Sequence, residues 1–426
     1  MSSPPKITYE EHSLVFELTS PLHLGSGEPD GFSDAGVVRD FNGLPGIPGT
    51  SLQGLLRAEC EEASGGRVSE EIFGWAGGGG RKLPNGEDDL GRGGRLWVSW
   101  GRVHDSHNKP VTKRLTAAER DRDDVLRDAA RPMLRDHVRL TERGVAAKRG
   151  KFDELVVSAG HRFTVEFRLA VPDGDSDGAA HWQYLDNILH DQALRLGGKT
   201  RRGLGGLKLV GLQRAESITH RDIFHDNISA DSLWMFGGGA SDSADSAPVS
   251  GTRIVWEGNQ GRVQPVWIIP GSAIKGALVH RIRFHANRIG RNFIGQERQT
   301  DIEPWMDELF GKMKGDTGTP GKVFIDDMWI DMPSGPDSKS DPAQYRAPVQ
   351  NHVAINPFTG GAKDSALFND EPLRPNIDSM PLRIQLRGTP TPDALAALEA
   401  ATADLCEGRL ALGAHTGHGY GVFTKA

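Results

Sequence analysis

Two aspartates stand in matching loops of the sequence and are the first candidates for chemistry. Asp34 follows the segment Leu22–Gly27, and Asp245 follows Leu233–Gly238, with both pairs 211 positions apart. A carboxylate can bind a divalent ion, which activates a hydroxyl and stabilises charge on a phosphate. In loops rich in Asp, Gly and Ser, an aspartate also commonly serves only the turn. The residue types therefore allow metal-assisted chemistry on a phosphate and equally allow a plain loop.

Two Gly-rich segments, 197–206 and 413–421, are suited to binding a phosphate. Backbone amides in such loops can surround a phosphate, and neighbouring cations add attraction. The candidate side chains are Lys199, Thr200, Arg201 and Arg202 in the first segment and His415 and His418 in the second. We therefore expect the second segment to bind more weakly. A nucleotide-hydrolysing P-loop is disfavoured, because Ala193 stands where a Walker A motif requires glycine.

Two Ile-Pro-Gly segments precede predicted helices and offer a further phosphate site. Ile47–Gly54 reads IPGTSLQG, and Ile269–Gly276 reads IPGSAIKG. The free N–H groups and hydroxyls of a helix start favour an anion, although ordinary capping explains the same residues. The candidates are Ser51, Arg57, Ser272 and Lys275, together with Lys148 in a separate basic run. Each of the charged residues among these could equally be an ordinary solvent-exposed side chain.

All of these segments belong to an internal repeat, the feature that should be sought first in any sequence. Five segments recur in the same order: the aspartate loops, the Ile-Pro-Gly elements, a Phe-Gly turn before a strand, a histidine before Ala-Lys, and the Gly-rich segments. The histidines are His137 and His352. Five ordered matches at slowly drifting separations indicate a duplication. We predict domains at 1–213 and 214–426, divided by a polar stretch near 211–225.

Composition and charge are compatible with two globular domains. The 426 residues exceed one comfortable core and suit two domains of about 200 residues. A formal charge of −7 argues against a general polyanion binder, but it leaves room for a local basic stripe. No apolar run reaches the roughly 18 residues of a membrane span, and the N-terminus lacks an h-region. Cys60 and Cys406 have no metal-ligand spacing, so we expect a cytosolic protein without a membrane partner.

The residue pattern predicts the α+β class. The predicted strands include Ser13–Leu18 and Gly160–Leu169, and the predicted helices are Leu52–Glu62, 116–136 and Asp393–Glu407. Hairpins are expected at 139–152 and 354–368, after His137 and His352. The order of elements in each half is compatible with a split βαβ, ferredoxin-like domain, one of several α+β options.

The first half resembles the RAMP superfamily, specifically the backbone subunits of Csm and Cmr complexes. The resemblance rests on Leu22–Gly27, on Asp34–Asp40, and on Gly43–Gly54 with Arg57. A Phe-Gly turn, the hairpin region and the Gly-rich loop complete it, so it covers nearly the whole half. The second half carries the same set less strictly. The resemblance implies two tandem ferredoxin-like (RRM-like) RAMP domains with long loop and hairpin insertions, similar to the fused backbone subunits of type III-D systems.

The resemblance further implies a type III CRISPR effector subunit, partnered by guide RNA, target RNA and other subunits. In this family an aspartate before the Ile-Pro-Gly element cuts the target, which implies Asp34 and, by the repeat, Asp245. These residues would hold a divalent metal, Mg²⁺, while an RNA 2′-hydroxyl attacks. The second half departs from the pattern, since 23 residues separate Asp245 from Ile269 where 12 separate Asp34 from Ile47. Asp242 therefore remains an alternative.

Two other functions within the family stay open at this point. The chain could bind RNA without cutting it, as a structural RAMP subunit. It could also be a guide-RNA-processing endoribonuclease, which is expected to use a histidine base or a site lined with lysine. His137 and His352 are the histidines concerned, although a histidine in a strand is more often a hydrogen-bonded structural residue.

Overall fold

The computed structural model describes most of the chain. The described residues are 7–27, 35–64, 66–77, 82, 86–140, 146–173, 177–190, 194–211, 220–239, 241, 243–292, 300–312, 318–333, 344–375 and 379–426. Asp34, Asp242 and the predicted boundary between residues 213 and 214 lie outside these residues. The first half is described here from residue 7 to 211, and the second half from 220 to 426.

The first half contains a large antiparallel sheet, five helices and a long hairpin. Its strands are β1 (Ile7–Leu18), β2 (Gly74–Ala76), β3 (Gly91–Gly93), β4 (Leu96–Val98), β5 (Arg102–Val103), β6 (Met133–Leu140), β7 (Ala146–Val156), β8 (Arg162–Pro172) and β9 (Leu207–Leu209). Its helices are α1 (Gly49–Ser64), α2 (Arg67–Phe73), α3 (Ala117–Arg122), α4 (Asp124–Ala130) and α5 (Gly178–Leu189). A short 3₁₀ turn spans Thr200–Arg202.

The second half repeats this plan with an added sheet. Its strands are β10 (His220–Ala230), β11 (Gly237–Gly239), β12 (Ala247–Pro248), β13 (Ser250–Glu257), β14 (Gln260–Ile269), β15 (Gly311–Lys312), β16 (Thr319–Pro320), β17 (Val323–Ile325), β18 (Met328–Asp331), β19 (Gln350–Ile355), β20 (Ala362–Asp370), β21 (Met380–Arg387) and β22 (Phe423–Lys425). Its helices are α6 (Gly271–Ile289), α7 (Glu303–Phe310) and α8 (Pro392–Cys406). A 3₁₀ turn spans Thr416–His418.

The main sheets of the two halves have the same strand order. It is β4-β8-β1-β9 in the first half, where β5 also pairs with β8, and β17-β21-β10-β22 in the second. All of these strand pairs are antiparallel. In chain order these strands and the helices between them read β-α-β-β-α-β, which is compatible with the predicted ferredoxin-like arrangement. The α+β class is confirmed.

Each half buries its own core between the sheet and two helices. In the first half, α1 directs Leu52, Leu56 and Cys60 onto strands that contribute Phe16 and Phe163. These positions on α1 follow helical spacing, and alternate residues of β1 and β8 face the same core. The corresponding residues of the second half are Ile274, Leu278 and Ile282 on α6, against Ile228 and Ile384.

The glycine of each Ile-Pro-Gly element allows a helix to start against a strand end. A Cβ on Gly49 would lie 2.1 Å from the Val98 carbonyl oxygen, and one on Gly271 would lie 2.5 Å from that of Ile325. No side chain fits at that distance, so only glycine is tolerated. The helices begin at these glycines, which places Ser51 and Ser272 inside the first turn and not at the capping position expected of them.

The charged stretch 116–136, predicted as one helix, is two short helices followed by a strand. Thr116 accepts a hydrogen bond from the Glu119 amide, and Asp123 accepts one from the Leu126 amide, so each begins a helix of its own. Pro132 has no amide hydrogen to continue α4, and β6 starts at the next residue. Local capping and a proline thus overrode a favourable helical composition.

The long spacing between Asp245 and Ile269 is taken up by the β13–β14 hairpin, which packs on the first half. In the first half the same place holds a tight turn, where Asp40 Oδ1 accepts the amides of Asn42 and Leu44. The hairpin instead reaches across the interface, where the Ile254 amide donates to the Ala159 carbonyl (2.8 Å). Trp256 Nε1 donates to the Gly160 carbonyl (2.7 Å), and the Arg162 guanidinium lies 4.2 Å from the centroid of the Trp256 ring.

A buried ion pair joins the two halves near the first Gly-rich loop. Arg135 of β6 donates to Asp327 Oδ2 at 2.5 Å, and both side chains are almost fully buried. The other carboxylate oxygen accepts the Gly271 amide at the start of α6 (2.8 Å). Gly203 approaches the same carboxylate so closely that a Cβ there would lie 2.5 Å from Oδ1. Asp327 therefore connects three elements: a hairpin strand, a helix start and a loop.

We expect Asp327→Ala to cost about 3–5 kcal/mol in free energy of unfolding, because it leaves a buried guanidinium without a counter-charge. Urea unfolding at neutral pH measures this loss. Asp331→Ala is the matched control, since its pair with Arg253 is largely exposed and should be worth about 1 kcal/mol or less. Equal losses in the two variants would show that the buried pair does not stabilise the junction.

Candidate nucleic-acid interface

The two Gly-rich loops have the same backbone conformation. Lys199 and His415 both adopt the left-handed region, with φ of 54° and 56°, and each is followed by a 3₁₀ turn. Left-handed backbone is unusual for residues other than glycine, so its recurrence at matched positions is not a local accident. The loops are therefore structural equivalents, 216 positions apart, although one carries lysine and arginines and the other histidines.

Each Gly-rich loop binds back to the segment before the aspartate loop. The Gly198 amide donates to the His23 carbonyl (2.9 Å), and the Ala414 amide donates to the Met235 carbonyl (2.7 Å). His23 is therefore equivalent to Met235, a separation of 212 and not the 211 inferred from the sequence. The sequence alignment of this segment was off by one residue.

Backbone hydrogen bonds restore the separation of 211 at the aspartates themselves. The bonds run from Leu155 N to Ala35 O and from Glu371 N to Ser246 O, both 3.1 Å long. Ala35 directly follows Asp34 in the sequence, and Ser246 directly follows Asp245. The residues after the two aspartates thus make the same contact with the far end of their hairpins. Asp34 itself lies outside the described residues.

Asp245 is exposed and is held by the neighbouring hairpin strand. The Asn369 amide donates to Asp245 Oδ2 (3.0 Å), and the Asp245 amide donates to Asn369 Oδ1 (2.7 Å). Within the described ranges, no group of three or more His, Cys, Asp or Glu side chains is placed to hold a metal. Asp245 offers one carboxylate, which fits Mg²⁺ only where water and substrate phosphates complete the coordination.

A buried glutamate links the first hairpin to the first Gly-rich loop. Glu154 on β7 has no exposed side-chain surface, and it accepts a hydrogen bond from His137 Nε2 (2.7 Å) and another from Lys199 Nζ. Burial opposes ionisation, but these two hydrogen bonds outweigh it and lower the pKa of Glu154 from 4.5 to about 2. Lys199 Nζ also lies 4.4 Å from the centroid of Phe152. Lys199 therefore has a structural partner.

The second half has an aspartate at the same place. Asp370 on β20 is fully buried, with Oδ2 lying 3.0 Å from His352 Nε2 and 3.2 Å from His415 Nε2. Tyr420 O–H donates to the other oxygen (3.5 Å). His352 corresponds to His137, and His415 corresponds to Lys199. Sequence analysis missed both carboxylates, although Glu154 and Asp370 recur at the same separation of 216 as the Gly-rich loops.

The first Gly-rich loop also meets helix α6 of the second half. Lys275 Nζ donates to the Arg201 carbonyl (3.2 Å), and Arg201 Nε donates to the Gly321 carbonyl (2.5 Å). Burial, together with the guanidinium groups of Arg202 and Arg201, lowers the pKa of Lys275 to about 7. Arg202 is exposed. The structure thus brings together three of the predicted phosphate-binding cations at the junction between the halves.

The remaining predicted residues lie elsewhere or are already engaged. Arg57 Nε donates to Glu61 one turn along α1 (2.9 Å), and Lys148 is exposed on β7 of the hairpin. Thr200 begins the 3₁₀ turn after Lys199. The first-turn amide of Gly271, expected to face a phosphate beside Ser272, donates to Asp327 instead. The Gly271 amide at the start of α6 is therefore engaged in the contact between the two halves.

A family model, described as the RAMP superfamily, matches two regions of the chain, residues 15–208 and 227–424. The chain belongs to the RAMP superfamily. The two matched regions are the two halves described above, so this RAMP protein carries the family unit twice.

Other comparisons add little to the RAMP assignment. A chain in the cryo-EM structure of type III-B Cmr-beta in the apo state is 14% identical, with a TM-score of 0.33. The alignment covers 47% of this RAMP chain and 97% of that chain. A comparison with curated proteins gives no match. None of the described helices has the length and apolar character needed to cross a bilayer.

We expect Glu154→Gln to lower the free energy of unfolding by roughly 3 kcal/mol at neutral pH, because the pKa of the buried Glu154 carboxyl is lowered from 4.5 to about 2. The stabilisation by ionised Glu154 is fully present above pH 4.5, the ordinary pKa of a glutamate. It is lost as the pH falls through about 2, the pKa of Glu154 in the folded protein. Denaturant unfolding at neutral and acid pH should show the two proteins converging. Glu61→Gln, which breaks an exposed pair with Arg57, should cost less than about 1 kcal/mol at either pH. A deficit that persists in acid would contradict the assigned ion pair.

Proposed function

We propose that this RAMP protein is a backbone subunit of a type III CRISPR effector complex. It binds guide RNA with other subunits and cleaves the paired target RNA at Asp34 and Asp245. The observation that carries the proposal is the repeat of one arrangement in both halves: an aspartate loop, a hairpin and a Gly-rich loop joined by the same backbone contacts. A chain built from two such units would present two equivalent sites along an RNA.

RNA binding is supported by where the cations lie. The chain is negative overall, but Arg201, Arg202 and Lys275 gather at the junction of the halves. No carboxylate is in hydrogen-bond contact with Arg201 or Lys275 within the described part of the chain, and both donate only to carbonyl groups. A phosphate backbone passing this junction would supply the missing negative charge.

Cleavage is supported by the position of Asp245. Its backbone is fixed by Asn369, yet the carboxylate remains open to solvent and to an incoming strand. The equivalence of Ala35 with Ser246 favours Asp245 over Asp242 as the counterpart of Asp34. A bound Mg²⁺ would lower the pKa of the attacking hydroxyl and stabilise charge on the scissile phosphate. The protein's contribution is to hold one carboxylate and the RNA in a fixed relation.

The matched histidines do not favour a guide-processing enzyme with a histidine base. His137 already donates to Glu154, and His352 faces the buried carboxylate of Asp370. A general base has to reach the hydroxyl it deprotonates. Both histidines lie in hairpin strands with Nε2 facing a buried carboxylate, so neither is placed as a free general base.

We expect RNA affinity to fall linearly on a log–log plot against salt, with a slope of about −0.7 for each phosphate contacted. Replacing Lys199, Arg201 and Arg202 together by alanine should flatten the slope. Arg202→Ala is the cleanest single change, because the other two side chains also have partners inside the protein. Arg122→Ala, on α3, removes one exposed charge outside the Gly-rich loop and should leave the slope unchanged. An unaltered slope in the triple variant would remove the first Gly-rich loop from the RNA path.

We expect Asp34→Ala and Asp245→Ala to abolish different cuts in a guide-paired target, one repeat unit apart. Each should slow its own cut by about a hundredfold or more, as expected when a charge-stabilising group is lost. Binding should survive, because no phosphate contact is removed. Product mapping on labelled RNA measures both cuts. A 2′-deoxy nucleotide at one scissile position should block only that cut, whereas metal chelation should block both.

Asp245→Asn is the matched variant for the second site. An asparagine oxygen can still accept the Asn369 amide, so the loop is retained while the charge is lost. Asp245 would be excluded as the cutting residue if Asp245→Asn cleaves at the full rate. It would also be excluded if the second cut is lost in Asp242→Ala but not in Asp245→Asn. Intact cleavage in all variants would leave a structural subunit that binds RNA without cutting it.

A further inference from the structure

The second half contains a cluster of three histidines that the described residues of the first half lack. The rings of His352, His415 and His418 lie 5.3, 5.3 and 5.4 Å apart between centroids, and they are nearly parallel. Phe368 stacks on His352 at 4.9 Å and closes one side of the cluster. His418 is exposed, so the cluster opens to solvent at that residue.

The cluster is poorly balanced in charge once its histidines are protonated. Asp370 is the carboxylate that faces it from β20, and the Tyr420 hydroxyl contacts that carboxylate from the loop. Next to Asp370, Glu371 is already paired with Arg346. Three imidazolium groups would therefore face a single negative charge, leaving an excess of two positive charges beside the solvent.

Two buried atoms in the cluster also lack hydrogen bonds. His352 Nε2 and Asp370 Oδ2 are 3.0 Å apart but are not aligned for a hydrogen bond. Within the described part of the chain neither atom makes any other hydrogen bond, although Asp370 Oδ2 also lies 3.2 Å from His415 Nε2. Buried polar atoms in folded proteins are nearly always satisfied. Protonated histidines would satisfy Asp370 and leave further imidazolium N–H groups without acceptors, and the oxygens of a phosphate can accept hydrogen bonds from them.

We propose that His352, His415 and His418 form a proton-dependent phosphate site, which binds a phosphate group when protonated and releases it when neutral. The phosphate would come from the RNA backbone or from free phosphate. The RNA form of this inference rests on the proposed function, whereas the chemistry of the site does not. The second Gly-rich loop therefore contacts RNA mainly under mildly acidic conditions.

The first half explains why this dependence is confined to the second. Lys199 occupies the position of His415 and pairs with Glu154. In the second half, burial lowers the pKa of His415; Asp370 opposes this effect, while His352 and His418 add to it. Protonation without a ligand therefore costs stability as the pH falls below about 6.5. A bound phosphate would offset that cost, so affinity must rise as protons are taken up.

Calorimetric titration with single-stranded RNA tests the inference. Each titration is made at about pH 6 and about pH 7.5, in two buffers of different ionisation enthalpy, which gives the number of protons taken up. For the unmodified protein we expect net uptake near pH 6, with affinity rising about tenfold per pH unit for each proton. The triple variant with His352→Gln, His415→Gln and His418→Gln keeps hydrogen-bond donors and should lose that uptake.

Two exchange variants provide matched controls. His415→Lys gives the second loop the cation of the first and should reduce the dependence on pH. Lys199→His makes the opposite change and should add proton uptake to the first loop. Equal proton uptake by the unmodified protein and the triple variant would overturn the proposal, since other groups would then carry the protons.

Inorganic phosphate distinguishes this proposal from the proposed function. We expect phosphate at about pH 6 to shift the imidazole proton resonance of His418 in NMR spectra, and to lose this effect at about pH 7.5. A phosphate-dependent shift without RNA binding at any pH would support the site and contradict the RNA function. RNA binding with neither proton uptake nor a phosphate-dependent shift would support the RNA function and overturn the site.

Discussion

The carboxylate of Asp327 holds the two halves of this RAMP protein in a fixed relation. It accepts hydrogen bonds from Arg135 on the first hairpin and from the Gly271 amide where α6 begins. Two charges buried together are costly to desolvate, and hydrogen bonds to both carboxylate oxygens of Asp327 offset that cost. The contact also excludes any side chain at Gly203, so the first Gly-rich loop is fixed in place by the same group.

This junction brings three cations close together. The loop fixed by Asp327 presents Arg201 and Arg202 beside Lys275, and burial, together with the two guanidinium groups, lowers the pKa of the lysine. The β13–β14 hairpin strengthens the same interface through Trp256 and Gly160. The insertion between Asp245 and Ile269, a departure from the family pattern in sequence, therefore provides a second connection between the two halves.

Duplication preserved the backbone and let the charges diverge. Both halves keep a buried carboxylate between the hairpin and the Gly-rich loop. Both also keep a residue with left-handed backbone, Lys199 or His415, near the start of the Gly-rich loop. A carboxylate in such a place needs a cation or a donor, but it does not specify which one. Lysine serves in the first half and histidine in the second, so the same backbone carries different charged groups at the two sites.

Much of the fold could be predicted because its signals are local. The repeat, the strand alternation around Phe163 and the helical spacing of Leu52 and Leu56 were all readable, and the structure has these elements. Local competition was harder to predict: the stretch 116–136 has helical composition, yet Thr116, Asp123 and Pro132 divide it. The sequence alignment of His23 was also wrong by one residue, because the two loops differ in length by one residue. Hydrogen bonds, and not residue type, show that His23 is equivalent to Met235.

The candidate site shows the same division between sequence and structure. By itself the sequence determined the two units, the glycines at helix starts and loops, and the aspartates to be tested, since these depend on residue type and short spacing. Only the tertiary structure decided that Glu154 and Asp370 connect hairpins to loops, that the Gly271 amide is engaged, and that Lys275 meets the other half. These contacts join residues far apart in the chain, and burial gives their charges partners and pKa values that no local pattern encodes.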